Sequence, residues 1–257
     1  MLFHLWEYFL YFLFKEDQHS IHSPHFFKLY QNLKSFLRIN RKGNRDIEQH
    51  RNKFLTSQER ICRTDFGAGS RWSNGEQQQV ASIAKRATTP VKFSLLYQYL
   101  CKLTPANTVL DLGTSLGINT AYLVSVTNGN LYSFEGDPAL ELLAHGHLIQ
   151  YSNVNSIAGN LDKTLKKMLE GIKSVDFVLM DANHRYQPTM HYFRLIAPKL
   201  HKGSILVIAD IHWSKEMRKA WDEIKGMPSV TSSIDFFECG VLFFNDLGIR
   251  NDYILEI

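Results

Sequence analysis

Thr108-Val109-Leu110-Asp111-Leu112-Gly113-Thr114-Ser115-Leu116-Gly117 is the stretch that decides the fold. A short apolar strand runs into an acidic residue and then a glycine turn. The pattern after it is helical over 115–126. Gly113 lets the backbone turn sharply, and Gly117 lets the helix approach ligand and sheet. A carboxylate at Asp111 would repel a pyrophosphate seated on the helix N-terminus. The loop therefore predicts a cofactor without phosphate and with a cationic end. Glu135 ends the next strand at the spacing where an acid receives ribose hydroxyls in nucleotide folds.

Strands and helices alternate onward from this loop. Strands are predicted at 131–135, 154–158, 176–180 and 205–209, with helices at 138–150, 161–171, 188–200 and 214–225. Such alternation predicts an α/β fold with a doubly wound, mostly parallel sheet of about seven strands. Val230 to Phe237 and Val241 to Phe244 then read as two strands joined by Glu238-Cys239-Gly240. The sheet is expected to end in this antiparallel hairpin. The division expected is a helical extension and lid over 1–89 and a cofactor-binding domain over 90–257.

Composition bounds the rest. The 257 residues carry a net charge of +4, with 44% apolar and 21% charged residues. That balance excludes disordered, collagen-like and polytopic membrane chains. Cys62, Cys101 and Cys239 are too dispersed for a disulfide framework or a cysteine zinc site, which suits a reducing cytoplasm. Residues 1–107 hold 16 basic and 8 acidic side chains, whereas 108–257 hold 13 and 17. The basic run from Arg38 to Arg63 is read as a solvated helical face, with an acidic partner or anionic membrane as the alternative.

Residues 1–14 are almost wholly apolar and aromatic. The run falls short of the roughly 20 residues a spanning helix needs. It predicts a helix covered by the body or by a second subunit in a homodimer, or else one lying on a membrane surface. His19, His22 and His25 are interrupted by Pro24, so Ser23-Pro24 reads as a helix start rather than part of a metal site. The glycine-rich run Asp65 to Ser70 lacks the flanks of a cofactor loop. Residues 60–75, with Phe66 and Trp72, read as a lid over the site.

The span from about 90 to 257 resembles the class I S-adenosylmethionine-dependent methyltransferases. Asp111, Gly113 and Gly117 match the family's first motif, Glu135 its ribose-binding acid, and the reversed terminal strand its sheet. Gly159-Asn160 occupies the loop that often meets adenine. The resemblance implies S-adenosylmethionine as cofactor, held by Asp111, Gly113, Ser115, Gly117, Glu135, Asn160 and Asp181. The reaction side resembles small-molecule O-methyltransferases of the catechol and caffeoyl-CoA types. It is closer to a bacterial branch with Asp-x-x-His-x-Tyr, matched by Asp181, His184 and Tyr186. His-Ser-Pro at 22–24, the 65–70 segment and Ile211-His212-Trp213-Ser214-Lys215 resemble a methyltransferase group of Bacteroidetes-type bacteria, which supplies no acceptor.

The resemblance implies methylation of a small-molecule hydroxyl. His184, His212 and Asp181 are the catalytic candidates, an imidazole being suited to take a hydroxyl proton near neutrality. Metal-dependent relatives hold Mg²⁺ or a similar ion on strand-end acids, here Asp181 and Asp210. Ile211 stands where they have asparagine, which counts against a metal. A non-catalytic cofactor-binding protein and a nucleic-acid methyltransferase are the competing readings. No Asn-Pro-Pro-Tyr-type motif supports the latter.

Overall fold

The computed structural model describes residues 2–63, 77–245 and 250–257. The expected lid segment, with Phe66, Trp72 and the 65–70 glycines, lies outside them except for its first residues. Three helices come first: α1 (Leu2–Phe14), α2 (Pro24–Ile39) and α3 (Arg45–Thr56). A small ribbon of β1 (Arg60–Cys62) and β2 (Gln77–Gln79) leads to α4 (Val80–Ala87) and α5 (Val91–Lys102). The alternating region follows as β3 (Thr108–Leu112), α6 (Ile118–Val124), β4 (Asn130–Glu135), α7 (Pro138–Leu148), β5 (Val154–Ala158), α8 (Leu161–Glu170), β6 (Val175–Met180), α9 (Tyr186–Ile196), β7 (Leu200–Ala209) and α10 (Lys215–Lys225). The chain closes with β8 (Ser232–Asp235), β9 (Cys239–Phe243) and β10 (Asn251–Ile254).

The large sheet has eight strands in the order β10-β8-β9-β7-β6-β3-β4-β5. Neighbours from β5 through β7 pair in parallel, and β9 runs antiparallel to both β7 and β8. The predicted hairpin is thus present, but its second strand is inserted between β7 and the first. Strand alternation sorts the core onto two faces. Val109, Phe177, Leu179 and Val207 pack with Phe26, Leu33, Leu96 and Leu100 of α2 and α5. Leu110, Val178, Met180, Leu206 and Ile208 pack with Leu165, Phe193 and Trp221 of α8, α9 and α10. A helix layer on each face makes the strands nearly continuous apolar runs, as buried parallel strands require.

Four details differ from expectation. The glycine of the terminal hairpin is not a turn residue, because Gly240 lies within β9 and a Cβ there would meet the Trp221 ring at 2.4 Å. The eighth strand, β10, pairs with β8 at the sheet edge. Arg51 is no solvated base: its buried guanidinium donates to Glu48 Oε2, the Thr89 carbonyl and Ser94 Oγ. Finally, the body covers only one face of α1, which leaves the second-subunit and membrane-surface alternatives for the other. Leu2 is 86% exposed and Phe14 64%, while only Glu7 and Tyr11 are buried.

Helix α1 is nevertheless pinned in place. The Tyr11 hydroxyl donates to the Leu255 carbonyl at 2.7 Å, and the Glu16 N–H donates to the Ile254 carbonyl at 2.7 Å. Glu7 Oε2 lies 2.8 Å from His212 Nδ1 and accepts from Arg218 Nη1 at 3.0 Å.

Candidate active site

The carboxyl ends of the parallel strands open into one cleft of about 920 Å³. That is where ligands bind in open α/β sheets, and the size suits a small-molecule site. Gly113 and Ser115 come from the loop after β3, Glu135 from the end of β4 and Asn160 from the start of α8. Asp181 to His184 follow β6, and Asp210 follows β7.

Among the described residues, six non-glycines have positive φ, and five of them line this cleft: Ser115, Asn183, His184, Asp210 and Phe237. Such conformations cost free energy for L-residues and gather where a site is held against strain. Gly113 has φ +109°, and a Cβ on it would stand 2.2 Å from the Asp181 carbonyl oxygen. The glycine is therefore required by the chain's own backbone as well as by a ligand. Any side chain there would push β3 and β6 apart at the site.

Glu135 is tethered at both oxygens, Oε2 by the Ser115 N–H at 2.7 Å and Oε1 by the Asp137 N–H at 2.8 Å. Burial pushes its carboxyl up, and those two backbone bonds partly offset the effect. Each oxygen keeps a lone pair for hydroxyl donors in the cleft. Asn160 caps α8 by accepting from the Asp162 N–H at 2.8 Å, which leaves its amide nitrogen for a ligand. Asp111 lies beneath the loop, 1% exposed and behind the cleft wall. Its Oδ2 accepts from Thr120 Oγ1 at 2.5 Å and from Ser133 Oγ at 3.3 Å, while Oδ1 is buried with no partner. Gly117 also stands away from the cleft, where a Cβ on it would meet His147, Leu148 and Ala144 of α7. Its role is helix packing rather than ligand contact.

The buried acids carry a pH consequence. Burial pushes Asp111 up to about 7, against the Thr120 hydrogen bond and with help from Asp181. A carboxyl raised in the fold above its unfolded value stabilises most below the unfolded pKa, and that stability is lost as pH rises through the folded one. Thermal unfolding should therefore move to lower temperature between about pH 4 and pH 7. Asp111→Asn should flatten this slope. The effect should reach a few kcal/mol at most, since a tenfold change in proton affinity corresponds to about 1.4 kcal/mol. Differential scanning calorimetry across that range checks it, and an unchanged slope would remove Asp111 as the cause.

On the reaction side, His184 lies between two acids. Its Nδ1 is 3.4 Å from Asp210 Oδ2, and its Nε2 is 3.7 Å from Asp181 Oδ1. Burial raises Asp181 to about 6, with Asp210 raising it further and His184 opposing. His212 is elsewhere. It is 2% exposed, does not line the cleft, and meets Glu7 Oε2 and Asp235 Oδ2 at 2.8 Å each. The expectation that it could serve as base is corrected: both its nitrogens are taken up by buried carboxylates, and Phe237 stacks on its ring at 4.9 Å. Tyr186 also faces away, its hydroxyl donating to Glu223 at 2.5 Å. Sequence reasoning missed the opposite wall, where His4, Tyr8 and Tyr11 of α1 join Phe93, Tyr97 and Phe237. The aromatic run was the signal, but its spacing does not say which side faces inward.

The comparisons with known proteins agree with this geometry. Residues 110–211 match the family model described as a methyltransferase domain. No curated protein matches the chain by sequence. Among solved structures, the Bacillus cereus O-methyltransferase in complex with SAH superposes with a TM-score of 0.54 at 13% identity, over 82% of this chain and 99% of that one. The O-methyltransferase TomG from Streptomyces achromogenes, involved in tomaymycin synthesis and bound to SAM, gives 0.51 at 16% identity over 62% and 82%. The SAH-bound methyltransferase PaMTH1 of Podospora anserina gives 0.53 at 15% identity over 63% and 82%. At these identities the likenesses establish a shared fold. The Gly113 turn, Ser115 and the tethered Glu135, all lining the cleft, are a cradle that fits S-adenosylmethionine. Residues 110–211 of this chain thus match a methyltransferase domain, in a fold shared with methyltransferases crystallised with SAM or SAH.

Proposed function

We propose that the protein methylates a hydroxyl group of a small molecule, with His184 as the proton acceptor. The observation that carries this reading is His184 standing between Asp181 and Asp210 in the same cleft wall as Gly113 and Glu135. Bound S-adenosylmethionine supplies a methyl group on a positively charged sulfur, already activated for in-line attack. The protein has three tasks left: align the acceptor, take its proton and exclude water.

Glu135 and Asn160 would hold the ribose and adenine end, with Gly113 and Ser115 along the rest of the cofactor. The acceptor would lie against the aromatic wall of Tyr8, Tyr11, Tyr97 and Phe237, its hydroxyl at His184. Both carboxylate distances exceed ordinary hydrogen-bond length, so neither acid ties up the imidazole tightly. They are close enough to favour the imidazolium that forms when the proton arrives. Asp181 supports this by electrostatics rather than by contact with the acceptor.

The same three side chains favour a second reading. Asp181, His184 and Asp210 each offer a ligand atom, all within 4.8 Å of one another. Two carboxylates and an imidazole fit a borderline ion such as Mn²⁺ or Fe²⁺ better than Mg²⁺, which prefers oxygen donors. These residues would hold the ion, and it would make the acceptor hydroxyl more acidic. Here His184 takes the third position that the sequence left short.

Transfer of labelled methyl from S-adenosylmethionine to a panel of catechols and phenols tests the reaction class. Methylation of at least one is expected, and transfer only to amines or nucleic acid would oppose it. Glu135→Ala should weaken S-adenosylhomocysteine binding by about 1.5–3 kcal/mol, roughly 10- to 150-fold, the value of bonds to a charged group. Unchanged affinity in calorimetry would take Glu135 out of the site.

A further inference from the structure

Helix α1 has two faces with different jobs. Its inner face supplies His4, Tyr8 and Tyr11 to the cleft wall. Its outer face leaves Leu2, Leu5, Trp6, Phe9, Phe12, Leu13 and Phe14 at least half exposed. The apolar surface continues to the cleft rim through Trp213, which is 61% exposed and lies 6.4 Å from the His4 ring. Contiguous apolar surface of this kind marks an interaction site. No helix among the described residues is long and apolar enough to cross a membrane.

The charges beside the helix select the partner. Phe3 shares a groove with Lys215, Arg218 and Lys219 of α10; Arg218 is taken up by Glu7 and Asp222, whereas Lys215 and Lys219 meet no acid within ion-pair distance among the described contacts. The acids of that groove are engaged: Asp222 by Arg218 at 2.8 Å and Lys225 at 3.2 Å, and Glu223 by Tyr186. The one acid on α1, Glu7, is buried beneath it. A twofold pair built on this face would bring only the same lysines to it and no free acid to meet them. An anionic lipid surface would neutralise them. An aromatic-rich apolar face edged by lysines is the composition of helices that lie in the membrane interface.

We propose that α1 lays this chain on an anionic phospholipid bilayer, with the mouth of the cleft at the lipid boundary. Resting on the methyl-transfer reading, the acceptor class served is an amphiphile whose hydroxyl enters the cleft while its apolar tail stays in lipid.

The test uses the full chain and vesicles of phosphatidylglycerol mixed with phosphatidylcholine. Wild type should co-sediment, and more weakly as salt screens the lysines. Phe9→Glu with Phe12→Glu changes two outer residues that do not line the cleft, and it should reduce binding about tenfold or more. Lys215→Glu with Lys219→Glu should reduce it on these vesicles. Affinity for S-adenosylhomocysteine and the melting temperature should hold in both variants. Wild type left in the supernatant would overturn the proposal, as would unchanged co-sedimentation of the phenylalanine variant. A wild-type dimer in light scattering that this variant dissociates, without vesicle binding, would assign the face to a second copy instead. Methyl transfer to octyl gallate in the vesicles should fall with binding in the variant. No transfer in wild type counts against the methyl-transfer reading alone, since co-sedimentation decides the docking.

Discussion

His184→Ala should lower turnover roughly 10²–10⁴-fold, the usual contribution of a general base, while leaving S-adenosylhomocysteine affinity near wild type. The imidazole stands at the reaction end of the cleft, between Asp181 and Asp210. Removing it leaves two carboxylates facing each other with nothing between them. One should then hold a proton at neutral pH, and Asp181 is already raised to about 6 by burial with His184 present. His184→Gln separates shape from basicity. It keeps a polar side chain of similar reach but cannot take the proton. Rates near wild type for His184→Gln would assign the residue a positioning role and defeat the base assignment.

His212→Ala should instead unfold or loosen the protein. The imidazole is the partner of two buried carboxylates, Glu7 from α1 and Asp235 from β8, at 2.8 Å each. Arg218 reaches Glu7 from the side, but among the described contacts no other base reaches Asp235 within ion-pair distance. Deleting the ring leaves two buried carboxyl groups without the hydrogen-bond partner they share, at a cost of about 1–3 kcal/mol for each group left unsatisfied. The effect should appear as a large drop in urea midpoint and as release of α1, read by the fluorescence of Trp6. A turnover loss without a stability loss would return His212 to the catalytic set. Opposite signatures for two histidines separated by 28 positions are the sharpest contrast this structure offers.

The fold was legible because its core repeats one unit. Each strand of the alternating region reads as an apolar run closed by an acid or glycine, and β3, β4, β5, β6 and β7 lie where those runs are. What escaped was not periodic. Gly240 looks like a turn residue in sequence, and only the Trp221 ring packed on it explains the missing side chain. Strand β10 is four residues with a polar lead, and its place is set by pairing with β8 and by the bridge from Glu16 to Leu255.

The site was legible to the same extent. Gly113, Ser115, Glu135, Asn160, Asp181, His184 and Asp210 share one cleft because strand ends of a parallel sheet converge. His212 and Asp111 sit close to such ends, yet they point into the protein. A one-residue step along an extended chain reverses the face, and sequence spacing around a turn does not resolve that step. The aromatic wall from α1 was hidden for another reason. It comes from a segment far upstream of the sheet, brought there by Glu7, Tyr11 and Glu16.

The most direct test of the account is methyl transfer by wild-type protein in excess EDTA, using an acceptor from the catechol and phenol panel. If His184 takes the proton unaided, most of the activity persists in chelator, and His184→Ala loses it with or without chelator. Activity that vanishes in EDTA and returns with Mn²⁺ or Mg²⁺ would contradict the account and make Asp181, His184 and Asp210 the ligands of a metal.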